Sequence, residues 1–152
     1  RSTLFPYTTL FRSRTGSLRL EKGYGGWGRE FTQDVSSAEA GARFVRGDKP
    51  QFIGRAATRS GTAPSRRLAL IKISTGDVDP AGGEPVLLSG RPVARLTSGA
   101  HSYTFGHGLG LAYLPSHAIE STNLAVEILG HAYAAQVLPE APYDPQGTRI
   151  RA

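Results

Sequence analysis

Beyond residue 66 the chain divides into six short apolar-rich runs: Leu68–Ser74, Glu84–Leu88, Arg91–Thr97, Leu109–Leu114, Leu124–Leu129 and Ala132–Leu138. Gly or Pro stands in nearly every gap between them. Runs this short, broken by turn residues, predict the strands of a small barrel or sandwich. Ser89-Gly90 and Gly130-His131 sit where tight hairpin turns belong.

Upstream the pattern is helical. In Ser17–Tyr24 the apolar Leu18 and Leu20 alternate with Arg19, Glu21 and Lys22, and Gly23 supplies a stop, so this segment predicts the tail of a helix. Asp34–Gly41 carries a helix-start signature. Ser36 or Ser37 can accept from orphan amides, Glu39 lies three residues past Ser36 as in a capping box, and Gly41 ends the segment. A short strand over Ala42–Val45 is expected next. A helix of two or three turns within Asp48–Arg59 follows, with Pro50 near its start. Small residues, Gly and Pro gather between residues 60 and 65, which reads as a linker.

Residues 1–13 stand apart. Thr3–Ser13, TLFPYTTLFRS, matches codon by codon the translation of a sequencing-adapter read, so these residues are treated as an artefact that is not native. The stretch lacks the continuous apolar core of a signal peptide. Setting aside Arg1 and Arg12 lowers the formal charge from +6 to +4 and leaves no dense Lys/Arg cluster, which argues against nucleic acid as a partner. The absence of Cys excludes disulfides, thiolate metal sites and Cys nucleophiles. No apolar run approaches the ~20 residues of a membrane helix.

Candidate chemistry is sparse. Gly23-Tyr24-Gly25-Gly26-Trp27-Gly28 formally matches GxGxxG, but a dinucleotide fingerprint needs a strand before it and a helix after it. Here a charged helix end precedes the glycines, so they read as a turn with Trp27 as a large apolar anchor. Thr97–Ser102 and Gly106-His107-Gly108 bring Ser and His close in sequence, yet no carboxylate lies between Glu84 and Glu120 to orient a base. The four histidines lack metal-pair spacing, and Glu21, Glu39, Glu84, Glu120 and Glu127 are scattered rather than paired.

Several blocks in order resemble the late region of tetrahydrofolate-dependent aminomethyltransferase (glycine cleavage T-protein) domains. They are SLRLEKGYGGWGRE at Ser17–Glu30, the helix start at Ser36–Gly41, DKPQFIGRAA at Asp48–Ala57, Gly83–Gly99, Leu111–Pro115 and the terminal Ala141–Pro145. The WGxE and YDP elements are most similar to the variety fused behind the flavin domain of dimethylglycine and sarcosine dehydrogenases. Thr15-Gly16 stands where the stand-alone T-protein usually has an Arg-Asp pair, Ser37-Ala38 where Pro-Leu is usual, and Gly25 where a larger residue is usual.

The resemblance implies an α+β fold, with the end of a folate-binding α/β domain followed by a six-stranded antiparallel β-barrel. Residues 14–59 would close the folate-binding domain, 60–65 would link, and 66–152 would form the barrel. The implied parent is an oxidoreductase in which FAD oxidises an N-methylated glycine and tetrahydrofolate captures the one-carbon unit as 5,10-methylene-tetrahydrofolate. The flavin site and the key catalytic Asp would lie upstream, so no catalytic residue is carried over and this chain alone is expected to be inactive. Tyr24, Trp27, His101, Ser102 and Tyr103 are the candidates for contact with folate or the substrate cavity. No metal, nucleic acid or membrane is expected, and the implied compartment is the bacterial cytoplasm or the mitochondrial matrix. The alternatives are a stand-alone T-protein, which partners a lipoyl carrier protein, and a non-catalytic folate-binding relative.

Overall fold

A computed structural model describes residues 15–41, 51–56, 63–76, 78–149 and 151. A helix over residues 15–21 (α1) leads into turns, and the strands follow: β1 (Arg66–Ile73), β2 (Pro85–Leu88), β3 (Arg91–Ser102), β4 (His107–Pro115), β5 (Leu124–Ile128) and β6 (His131–Leu138). A one-turn helix, α2 (Ser116–Ile119), sits between β4 and β5. The six strands close on themselves in the order β1-β4-β3-β2-β5-β6, antiparallel throughout, as the resemblance implied. Among the described residues no helix is long and apolar enough to cross a membrane.

Alternation decides what faces inward. In β5, Leu124, Val126 and Ile128 are buried while Glu127 is exposed, the period of two that a strand with one solvated face requires. These side chains join Ile71, Ile73, Val86, Leu96, Ala112 and Leu114 in the barrel interior. β4 departs from alternation: residues 108–112 are buried on both faces. The reason is α1, whose Leu20 packs with Leu70, Leu109 and Leu111 into a second, smaller core outside the barrel wall. Gly99 in β3 lets Pro80 lie close against the strand. A Cβ on it would lie 2.8 Å from the Pro80 carbonyl carbon.

All six predicted strands form, with one informative extension. β3 runs on from Thr97 to Ser102, so the expected loop around His101 and Ser102 is strand, and only Tyr103 stands beyond its end. The second hairpin turn is shifted by one residue. Leu129 (φ 51°) and Gly130 (φ 80°) are the central pair, and His131 already belongs to β6. Positive φ at both central positions is the type I′ geometry that Ser89 (φ 50°) and Gly90 (φ 79°) also adopt.

α1 ends as expected. Gly23 (φ 69°) donates its amide to the Leu20 carbonyl at 2.9 Å and Tyr24 donates to Arg19 at 2.8 Å, the paired bonds of a Schellman stop. The helix expected from Asp34 does not propagate. The capping box forms, with the Ser36 amide donating to Glu39 Oε2 at 2.8 Å and the Glu39 amide to Ser36 Oγ at 3.2 Å. It caps only a turn, because Gly41 takes φ 66° and ends the segment before a second turn can add bonds. The expected strand over Ala42–Val45 lies outside the described residues. Of the helix within Asp48–Arg59, residues 51–56 are described, and only 55 and 56 of these are helical.

Candidate functional site

The best-defined polar constellation lies where α1 and the turn after it meet the barrel. Glu30 is fully buried, and its carboxylate collects four donors. Oε1 accepts from Ser98 Oγ at 2.5 Å and Thr97 Oγ1 at 2.7 Å; Oε2 accepts from the Gly26 amide at 2.6 Å and Arg19 Nη1 at 3.2 Å. Arg19 also donates to Ser98 Oγ at 2.6 Å and to the Tyr24 carbonyl at 2.9 Å. The Tyr113 hydroxyl donates to the Glu30 backbone carbonyl at 2.9 Å. Burial by itself pushes the Glu30 carboxyl up. The bonds from Ser98, Gly26 and Thr97, with the Arg19 charge, outweigh it and hold the group below its ordinary value. A carboxylate so saturated is a structural acceptor, with no oxygen left to take a substrate proton.

A second buried carboxylate repeats the arrangement nearby. Glu21 accepts from Ser102 Oγ at 2.7 Å and from Thr104 Oγ1 at 3.0 Å. Next to it Lys22 Nζ donates to Asp144 Oδ2 at 2.8 Å and to the Asp144 carbonyl, and the Tyr143 amide donates to the Glu21 carbonyl at 3.0 Å. The Lys22 bond, helped by Thr148, holds the Asp144 carboxyl down at about 2. A third tie joins Arg66 Nε to Glu39 Oε1 at 2.8 Å. The Ser36 amide, then Arg66, hold Glu39 at about 2.

The sequence candidates fall into two groups. Tyr24 and Trp27 stand on the turn after α1, both exposed, Trp27 to 91%. Trp27 is therefore no apolar anchor within this chain, contrary to the expectation; its backbone pairs with Phe31 as an isolated bridge. His101, Ser102 and Tyr103 lie at the other end of α1, where Ser17 Oγ donates to the His101 carbonyl at 2.7 Å. Tyr103 is exposed and meets the His101 ring edge-on, with centroids 5.1 Å apart. His101 Nδ1 lies 4.0 Å from Asp79. Ser102 is fully buried, donating to Glu21 and accepting from the Phe105 amide at 3.2 Å. Among the described residues no hydrogen bond or ring contact joins the two groups. Among the described residues no cluster of His, Asp and Glu could hold a metal ion.

Sequence reading missed Glu30, Arg19, Thr97 and Ser98 as a unit. The signal available was a pair of small hydroxyls, Thr97-Ser98, directly after the apolar Leu96 of a predicted strand. Buried hydroxyls need partners, and a carboxylate in the glycine-rich turn is the acceptor that was not considered.

A groove of about 630 Å³ opens beside this joint, lined by Arg29, Arg66, Arg95, Thr97 and Tyr113 among others.

Comparison with known proteins agrees with this geometry. Human mitochondrial dimethylglycine dehydrogenase is 38% identical over 140 residues, covering 89% of this chain and 16% of that enzyme. The aminomethyltransferase of Deinococcus deserti is 37% identical over 119 residues, covering 78% of the chain and 32% of that protein. The chain thus spans well under half the length of these relatives. In fold, it superposes on the crystal structure of the glycine cleavage system aminomethyltransferase T from Bartonella henselae with a TM-score of 0.71 at 24% identity, over 86% of this chain and 38% of that one. Residues 66–144, from the first strand of the closed barrel to the Asp144 clasp, match the glycine cleavage T-protein C-terminal barrel domain, and the chain belongs to that family.

Proposed function

We propose that the chain is the barrel end of a folate-dependent, aminomethyltransferase-type enzyme of the flavin-fused variety. In that reading the parent makes 5,10-methylene-tetrahydrofolate from the N-methyl groups of dimethylglycine or sarcosine. The observation that carries it is the similarity to dimethylglycine dehydrogenase across 140 residues, through the α1 joint as well as the barrel. Residues 14–59 are then the end of the folate-binding domain and 66–152 its C-terminal barrel.

The described residues do not by themselves fit folate or flavin. Both buried carboxylates at the joint are occupied by hydroxyl donors of the chain itself, leaving none to bind a pterin ring. The glycine run that mimics a dinucleotide loop is a Schellman stop rather than a strand-to-helix turn. No step of the reaction is therefore assigned to these residues. Their contribution is positional: the Glu30 and Glu21 networks fix α1 and the turn after it on the barrel. Tyr24, Trp27 and Tyr103 stay exposed and available to the folate or substrate cavity of the parent.

A second reading, the stand-alone T-protein, is supported by the similarity to the Deinococcus aminomethyltransferase over 78% of the chain. Its substrate would be an aminomethyl group on a lipoyl carrier protein. The test is the full-length protein encoded in frame upstream of Arg14, supplied with dimethylglycine and tetrahydrofolate. Methylene-tetrahydrofolate formed from dimethylglycine supports the flavin-fused reading. Activity only with an aminomethylated lipoyl carrier overturns it in favour of the second. The purified 152-residue chain is expected to turn over neither substrate.

A further inference from the structure

We propose that the groove beside β3 binds an acidic, extended peptide segment of a partner protein. This is independent of the reaction assigned to the parent. Arg29, Arg66 and Arg95 line one cavity of about 630 Å³, and among the described residues that line it there is no Asp or Glu. Arg66 is already anchored, donating to Glu39 and to the Asp34 carbonyl and lying 5.3 Å over the Tyr113 ring. Arg29 and Arg95 are exposed, and neither side chain has an ion-pair or hydrogen-bond partner among the described residues.

Three nearby carboxylates have partners within the chain. Glu30 is sealed beneath the groove by Thr97, Ser98, Gly26 and Arg19. Glu84 is held by the amides of Ala81 and Gly82, both at 2.7 Å. Glu39 is spent on Arg66. Arg29 and Arg95 therefore supply the groove with positive charge that no ion pair among the described residues offsets, and this attracts and orients an anion.

Size and shape select the kind of anion. A single oxyanion is far smaller than this cleft, whose volume is that of a site for a larger ligand, roughly 300–1,000 Å³. Guanidinium forks favour planar carboxylates, which they grip bidentately. A nucleic acid strand would need stacking platforms. Among the described residues Tyr113 is the lone aromatic lining the groove, and Arg66 already covers its face. The closed barrel offers no free strand edge, so recognition by added backbone pairing is excluded and side-chain charge must do it.

The experiment uses the whole chain and a fluorescein-labelled peptide of alternating Glu and Ser, followed by anisotropy at low salt. Saturable binding is expected. Arg29→Glu and Arg95→Glu should each weaken it about tenfold, and Arg91→Glu, an exposed arginine on the same strand outside the groove, should leave it unchanged. Arg29→Gln and Arg95→Gln, compared after thermal melts show native folding, serve as milder versions. Absence of saturable binding at low salt overturns the proposal. So does an equal loss from Arg91→Glu, which would mark diffuse attraction to a basic surface. Single-stranded DNA of equal charge binding as tightly, and responding to the same variants, would overturn the acidic-peptide assignment.

Discussion

Leu129 concentrates two unfavourable circumstances in one residue. It is 88% exposed, and it holds φ 51°, a left-handed backbone that an ordinary side chain occupies at a cost of about 1 kcal/mol. The type I′ turn demands that φ, and Asn is the residue that tolerates it best short of glycine. Leu129→Asn should therefore stabilise the barrel by about 1 kcal/mol, raising the melting temperature by about 3 °C. A melting temperature that stays put or falls would mean that Leu129 makes a compensating contact. The same residue explains the one-position error in reading the turn. A leucine carries no turn signal, so attention passes to Gly130-His131, although the hairpin register pairs His131 with Ile128.

At the scale of elements, the decisive structure is the joint between α1 and the barrel. Four donors converge on Glu30, and truncating it leaves Arg19, Ser98 and Thr97 facing a buried void. Breaking a buried ionic network by removing one member costs about 3 kcal/mol. Glu30→Ala should thus lower the melting temperature by about 6 to 12 °C. The barrel interior is a separate cluster and should keep its strand signal in circular dichroism, while the turn over residues 23–31 becomes cleavable by protease. Unchanged proteolysis at that turn would show that Leu20 and the Ser17, Glu21 and Lys22 ties hold α1 in place without Glu30.

The strands were legible because each needs only local alternation and a turn residue at its end. The joint was not legible, because its pairs are remote: Glu30 with Ser98, Glu21 with Ser102, Lys22 with Asp144. Sequence spacing cannot show which distant hydroxyl a carboxylate will meet. Asp34–Gly41 failed for a different reason. Its capping box is real, but a cap without a following run of helical residues nucleates one turn and nothing more.

Across the whole molecule, three lowered carboxylates share one task. Glu30, Glu39 and Asp144 each tie the segment before β1 to the barrel or to the chain that follows it, through Ser98, Arg66 and Lys22 respectively. Glu39 and Asp144 sit at about 2 in the folded protein, against ordinary values of 4.5 and 3.8, and Glu30 is also lowered. The unfolded chain therefore takes up protons first as the pH drops. The stability these groups contribute is complete above about pH 5 and is lost progressively toward about pH 2. None of the three belongs to the barrel interior, whose packing does not titrate. Acid should accordingly loosen the amino-terminal segment before the barrel opens. Amide hydrogen exchange near about pH 3 should then show faster exchange across residues 18–31 while residues 69–73 stay protected. Glu39→Gln, which removes one of the titrating ties, should flatten part of the fall in melting temperature between about pH 5 and 2. Loss of protection in both regions together at the same pH would mean that the joint and the barrel unfold as one unit.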